Sequence, residues 1–158
     1  MSLPRNPLRF NVGFLLHTPI GTNRDIHFEY PEILLKPDFR LSDFSGVTKA
    51  SRTPQGILIQ GDFQGRVPAE CVRCLTNFVQ TLHATFDELY AFDERSITES
   101  DLVLPEDGNI DLEPLVREYL LIEMPISPIC KNDCLGLCPE CGQNLNELPR
   151  DHHHQKEE

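Results

Sequence analysis

The sequence contains no run of eighteen apolar residues, and its start, Met1-Ser-Leu-Pro-Arg-Asn-Pro, lacks a charged opening followed by an apolar stretch. Neither a membrane span nor a secretory leader is expected. A nucleotide-binding loop is missing too: Gly61 and Gly65 fall in a strand-like stretch with no Gly-Lys-Thr or Gly-x-Gly pattern. No Ser or Cys stands in a nucleophile motif, and His17, His27 and His83 are scattered. No catalytic residue is therefore nominated, and an enzyme is not expected.

Basic residues are also scarce, 14 Lys and Arg against 25 Asp and Glu, for a net charge of -11. The deficit is uneven. Residues 1–75 hold nine Lys or Arg against seven Asp or Glu, and residues 76–158 hold five against eighteen, so the halves are +2 and -13. A generic nucleic-acid binder needs a basic face to displace counterions, so strong nonspecific binding by this chain alone is not expected. A basic protein partner is equally compatible with the acidic half. An RNA would approach the less acidic half, with Arg66 and Arg73 as candidate contacts.

What the chain does hold is cysteine. Cys130, Cys134, Cys138 and Cys141 lie within twelve residues, the last two in a Cys-Pro-x-Cys-Gly turn, and Cys71-Val-Arg-Cys74 stands nearly sixty residues upstream. Six thiols can make three disulfides in a secreted protein, but no export signal is expected, and in the cytosol the thiols would stay reduced. Knuckle spacing suits a metal, with zinc the usual occupant, because a tight Cys-x-x-Cys turn lets both sulfurs face one ion. The usual pairing of knuckles joins Cys71 and Cys74 to Cys138 and Cys141. An alternative joins them to Cys130 and Cys134, leaving Cys138 and Cys141 to borrow His152 or His154. A third is a local site of Cys130, Cys134, Cys138 and Cys141. Arg73, between two thiols, either offsets thiolate charge or contacts a phosphate or carboxylate. If Cys130 and Cys134 are not ligands, a redox-responsive thiol or zinc protein is the rival reading.

Periodicity supplies the frame for these thiols. Leu8, Phe10, Val12 and Phe14 alternate as a strand, and Ile26, Phe28 and Tyr30 as its hairpin return. The stretch 32–43, between and beyond two prolines, reads as a loop or short helix. Ile57, Ile59, Gly61 and Phe63 share one face of a long strand, and Phe78, Leu82, Ala84 and Phe86 one face of the next, which puts Cys71 and Cys74 at a hairpin tip. Asp111 is a good N-cap for an amphipathic helix over Leu112 to Glu123, ended by Pro125. The expected architecture is α+β: a mainly antiparallel sheet covered by one amphipathic helix, with a C-terminal cysteine-rich zinc-knuckle tail. Its expected divisions are an antiparallel domain over 1–92, an acidic linker over 93–109, the helix and cysteine-rich tail completing that domain over 110–147, and a disordered tail over 148–158.

Cys71-Val-Arg-Cys74-Leu75, the helix start Ile110-Asp-Leu, and Cys130 to Asn146 ending Gly-Leu-Cys-Pro-Glu-Cys-Gly-Gln-Asn-Leu-Asn together resemble the YceD family, the bacterial large ribosomal RNA subunit accumulation proteins. The resemblance runs from about Gly46 to Asn146. It implies a metal-binding factor, with nucleic-acid binding proposed for the family, that supports ribosomal RNA accumulation, so ribosomal RNA or a ribosome-assembly protein is the expected partner. The sequence departs from the family pattern at its end, where many relatives carry a Cys-x-Cys pair and Arg150 and His152 stand here.

Overall fold

A computed structural model of the chain describes residues 6–149. The longest run of regular structure is a meander of four antiparallel strands, β2 (Asn23–Leu35), β3 (Phe39–Arg52), β4 (Gly56–Glu70) and β5 (Asn77–Ala91), adjacent in that order. Strict alternation explains it. In β4, Ile57, Ile59, Gly61, Phe63 and Val67 are buried while Gln60, Asp62, Gln64 and Arg66 are exposed, so only one register places the apolar face inward. Phe28, Phe63 and Phe86, from β2, β4 and β5, form a chain of rings about one face, with centroids 6.0 Å apart at each step. Room for it comes from glycine: a Cβ on Gly61 would sit 2.5 Å from the Phe86 ring.

Residues 32–43, expected as a loop or short helix, are the end of β2 and the start of β3. Ile33, Leu35, Phe39 and Leu41 are all buried, and the register runs Ile33 to Leu41 and Leu35 to Phe39. Pro31 is tolerated because β2 is the edge strand, where a missing N–H leaves no broken inner ladder. The amino-terminal strand is also different. Only Arg9–Asn11 is extended (β1), and its partner is Asn109–Asp111 (β6), not β2. Asn11 ends it by turning its side chain back, accepting from Gly13 N–H at 2.8 Å and donating to the Asp107 carbonyl at 2.9 Å. A 3-10 turn over Gly13–Leu15 follows and buries Leu15.

The α+β expectation of one sheet covered by one helix is thereby corrected. The fold is mainly β, with two antiparallel sheets of four and two strands, because β1 and β6 pair with each other instead of extending the meander. Among the described residues one α-helix forms, α1 (Glu113–Ile122). Asp111 Oδ1 accepts Glu113 N–H at 3.0 Å at its start, and Val116 and Leu120 are buried. Tyr119 stacks on Phe86 at 4.8 Å and donates its hydroxyl to Glu88 Oε1. Between β5 and β6, Leu102 O accepts from Ala91 N–H and Leu104 N–H donates to Ala91 O, at 3.0 and 2.8 Å.

The chain divides into two compact units, Met1–Arg66 with Thr81–Met124, and Val67–Gln80 with Pro125–Glu158. The first contains the aromatic core and α1. The second contains all six cysteines.

Candidate metal centre

Three tight turns build the centre within the second unit. In the first, the loop leaving β4, Cys71 N–H donates to Thr76 O at 3.0 Å and Leu75 N–H to Cys71 O at 2.9 Å. Leu75 takes a left-handed φ of 61°, unusual for a residue with a Cβ. The second turn carries Cys130 and Cys134, with Cys134 N–H donating to Lys131 O at 3.1 Å. The third repeats the first: Cys138 N–H donates to Gln143 O and Gly142 N–H to Cys138 O, both at 2.8 Å, with Gly142 at φ 75°. A thiol two or three residues into such a turn faces the same side as the one that opens it.

The first and second turns close on each other. Val72 N–H donates to Pro128 O at 2.9 Å and Arg73 NH1 to Cys134 O at 3.2 Å. Gly136 approaches so near that a Cβ there would lie 3.2 Å from Arg73 O. As a result Cys71 Sγ is 3.7 Å from Cys134 Sγ, and Cys74 Sγ is 3.6 Å from Cys130 Sγ. All four sulfurs lie within 4.8 Å of one another. Cys71, Cys74 and Cys134 are buried and Cys130 half-buried, packed by Phe78, Ile129 and Leu137. Cys138 is buried and Cys141 exposed, and neither joins this group. Arg150, His152, His153 and His154 lie outside the described residues.

Electrostatics prepare part of the set for a cation. Burial pushes the Cys71 thiol up, but backbone hydrogen bonds from Cys74, Cys130 and Arg73 outweigh it and bring it down to about 6. Cys74 is lowered by the Thr76 side chain and backbone. Cys130 moves the other way, to about 12, through burial and the neighbouring sulfurs of Cys74, Cys134 and Cys71. Four thiols this close cannot all ionise without a positive charge among them, and a soft or borderline metal ion supplies it. The four-sulfur set can hold a metal.

Sequence reasoning missed the groups around the sulfurs. Asn146 Nδ2 is 3.3 Å from Cys134 Sγ and 2.8 Å from Asn144 Oδ1, and Asn146 Oδ1 accepts from Leu135 N–H at 2.9 Å. Thr76 Oγ1 accepts from Asn144 Nδ2 and from the Cys74 thiol, both at 3.2 Å, and so ties the asparagine to that sulfur. These residues hold and orient the clustered thiols. The only sequence signal was their place in Gln143-Asn-Leu-Asn146 directly after the last knuckle.

Comparison with known proteins bears on the same segment. The family described as large ribosomal RNA subunit accumulation protein YceD matches residues 59–158, from β4 through every cysteine. This chain belongs to the YceD family. Similar proteins include Rv2926c of Mycobacterium tuberculosis, 35% identical over 150 residues that make up 92% of this chain and 68% of that protein. YlbN of Bacillus subtilis is 28% identical over 82 residues, 51% of this chain and 48% of that one. The chloroplastic large ribosomal RNA subunit accumulation protein YCED homolog 1 of Arabidopsis thaliana is 40% identical over 43 residues, 27% of this chain and 13% of that one. No solved structure matches the chain. No helix among the described residues of this YceD-family chain is long and apolar enough to cross a membrane.

Proposed function

We propose that this protein is a noncatalytic zinc-binding factor that supports accumulation or maturation of large-subunit ribosomal RNA, with zinc held by Cys71, Cys74, Cys130 and Cys134. One observation carries the metal reading. With zinc–sulfur bonds of about 2.3 Å, the edge of a tetrahedron is about 3.8 Å, and the two closest sulfur pairs stand 3.7 and 3.6 Å apart. Family membership carries the ribosomal reading. Bound there, the ion supplies a cross-link and folding free energy to a unit with few apolar residues of its own. The chain's residues do the rest: Arg73 clasps the two turns together through Cys134 O, and Asn146 and Thr76 hold the thiols at their angles. The first unit serves as the scaffold from which β4 and β5 lead into the stapled one.

For RNA, Arg66 is the better of the two expected contacts. Its side chain is half exposed and meets Asp43 only at 3.5 Å, whereas one guanidinium nitrogen of Arg73 is engaged by Cys134. The test is metal content with thiol titration on the purified protein, followed by the ratio of large to small ribosomal RNA in cells whose copy carries Cys71→Ser with Cys134→Ser. One zinc lost in that variant, together with a fall in the ratio, is expected. A metal-free protein isolated with Cys71–Cys134 and Cys74–Cys130 disulfides supports the redox reading instead. An unchanged ratio with zinc lost separates the metal from the ribosomal role.

A further inference from the structure

The first unit contains a cavity of about 530 Å³ bordered by β6, the start of α1 and the loop that precedes β6. Its wall is of two kinds. Leu102, Pro105, Ile110 and Leu115 supply an apolar stretch, while Asp107, Asp111 and Glu118 supply three carboxylates against one cation, Arg9. Arg9 is partly committed already, 3.8 Å from Asp107 Oδ2. Asp107 Oδ1 accepts Asn109 N–H at 3.0 Å and Asp111 Oδ1 accepts Glu113 N–H at 3.0 Å, which fixes both carboxyl groups while leaving the second oxygen of Asp111 unused by these bonds.

Tyr90 is the independent sign of a ligand. It lines the same cavity, is only 6% exposed, and its hydroxyl has no hydrogen-bond partner among the described residues. The ring is buried while the hydroxyl is not among the fully buried unpartnered atoms, so it is a polar group beside an apolar wall that opens onto the cavity. Burial and the charges of Glu88 and Asp111 raise its pKa to about 12, which keeps it a neutral hydroxyl in a negative field.

We infer that this cavity is a docking site for an arginine side chain presented by a partner protein. An arginine stem is apolar and three methylenes long, matching the Leu102, Ile110 and Leu115 wall, and its head is a planar cation with five N–H donors. Tyr90 Oη, Asp111 and Glu118 offer acceptors from different directions, which suits a fork better than the point charge of lysine. The occupant is a side chain carried on a chain, not a free amino acid, because the carboxylate of free arginine would meet three acidic groups of the wall. The site uses none of the thiol ligands, so it stands or falls separately from the metal reading.

The test is a nuclear magnetic resonance titration of the full, metal-loaded chain with acetyl-Gly-Arg-Gly-amide, following the Tyr90 ring and the Asp111, Leu115 and Glu118 amides. Saturable shifts at those signals are expected, with binding weakened several-fold for the lysine peptide and lost for the citrulline peptide, which has the same shape without the charge. Glu118→Gln, on an exposed position, should weaken binding about three- to fivefold. Tyr90→Phe should weaken it about threefold while the dispersed amide spectrum shows that the fold persists. Equal binding of citrulline and arginine peptides, tighter binding of free L-arginine than of the peptide, or indifference to both Glu118→Gln and Tyr90→Phe would each overturn the inference.

Discussion

The two units solve the same problem with opposite materials. The first buries Phe28, Phe44, Phe63, Leu82, Ile57 and Ile59 against one another, and its stability comes from apolar area removed from water and from ring contacts. The second buries Cys71, Cys74 and Cys134 with only Phe78, Ile129 and Leu137 packed beside them. Its exposed positions include Val72, Leu75 and Leu135, so apolar side chains that could have made a core face outward at the turn tips. A unit of that size cannot offset its own chain entropy by burial, and a cross-link is the usual remedy. The contrast teaches that a chain can place an apolar core and a thiol-rich one on the same pair of strands.

The largest effect that sharpens this contrast is metal removal. Stripping the ion with a strong chelator, or Cys134→Ser, should bring amide exchange in residues 67–80 and 125–146 close to the unprotected rate. Protection in β2, β3 and the central part of β4 should stay within a few fold of the starting value. Simultaneous loss in both units would break the comparison and make the metal a requirement of the whole fold. Next in size is Phe63→Ala, which removes a fully buried ring from the middle of the aromatic series and should cost about 3–5 kcal/mol in denaturant unfolding. Metal stoichiometry of the folded fraction should stay at one per chain.

Between pH 9 and 6 the second unit should respond first, whereas the lowered carboxyl of Asp107 in the first unit responds only in stronger acid. Cys71 sits at about 6, below its ordinary 9.0, so the stabilisation from its thiolate is complete above pH 9, declines below that, and is gone once pH falls through about 6. Cys130, at about 12, is a thiol at neutral pH and must give up its proton to a metal. Calorimetry at pH 7.5 in buffers of different ionisation enthalpy should therefore register proton release on metal binding, and a chromophoric chelator should capture the ion increasingly as pH drops toward 6. The smallest expected effect is Asn146→Ala, which removes the amide facing Cys134 Sγ and should lower metal affinity about tenfold in chelator competition.

Much of the first unit was legible in the sequence. Period-two alternation located β4 and β5, and apolar positions three and four apart located α1, which is one residue shorter at each end than expected and has Leu112, not Asp111, at its N-cap position. Three features were not legible. β1 and β6 are three residues each, too short for any period to register, and they find each other across nearly a hundred residues. Pro31 and Pro37 read as breakers, although one lies on an edge strand and the other in the turn between β2 and β3, so the buried series Ile33, Leu35 and Leu41 was passed over. Four thiols in twelve residues also leave the choice of partners for Cys71 and Cys74 open to local reasoning. What gathers Cys130 and Cys134 beside them is long-range: the Val72 to Pro128 bond, the Arg73 clasp, and the two asparagines beyond the last knuckle.

Those asparagines have a further consequence. Asn144 and Asn146 follow directly on the turn of Cys138 and Cys141, yet their side chains end on Thr76 and on Cys134 Sγ. The third turn is thereby wired to the four-sulfur cluster by two amide groups. Opening the third turn withdraws the Asn146 amide from Cys134 Sγ and the Asn144 amide from Thr76 Oγ1. The four-sulfur group is thus held in part by a loop whose own two cysteines do not belong to it.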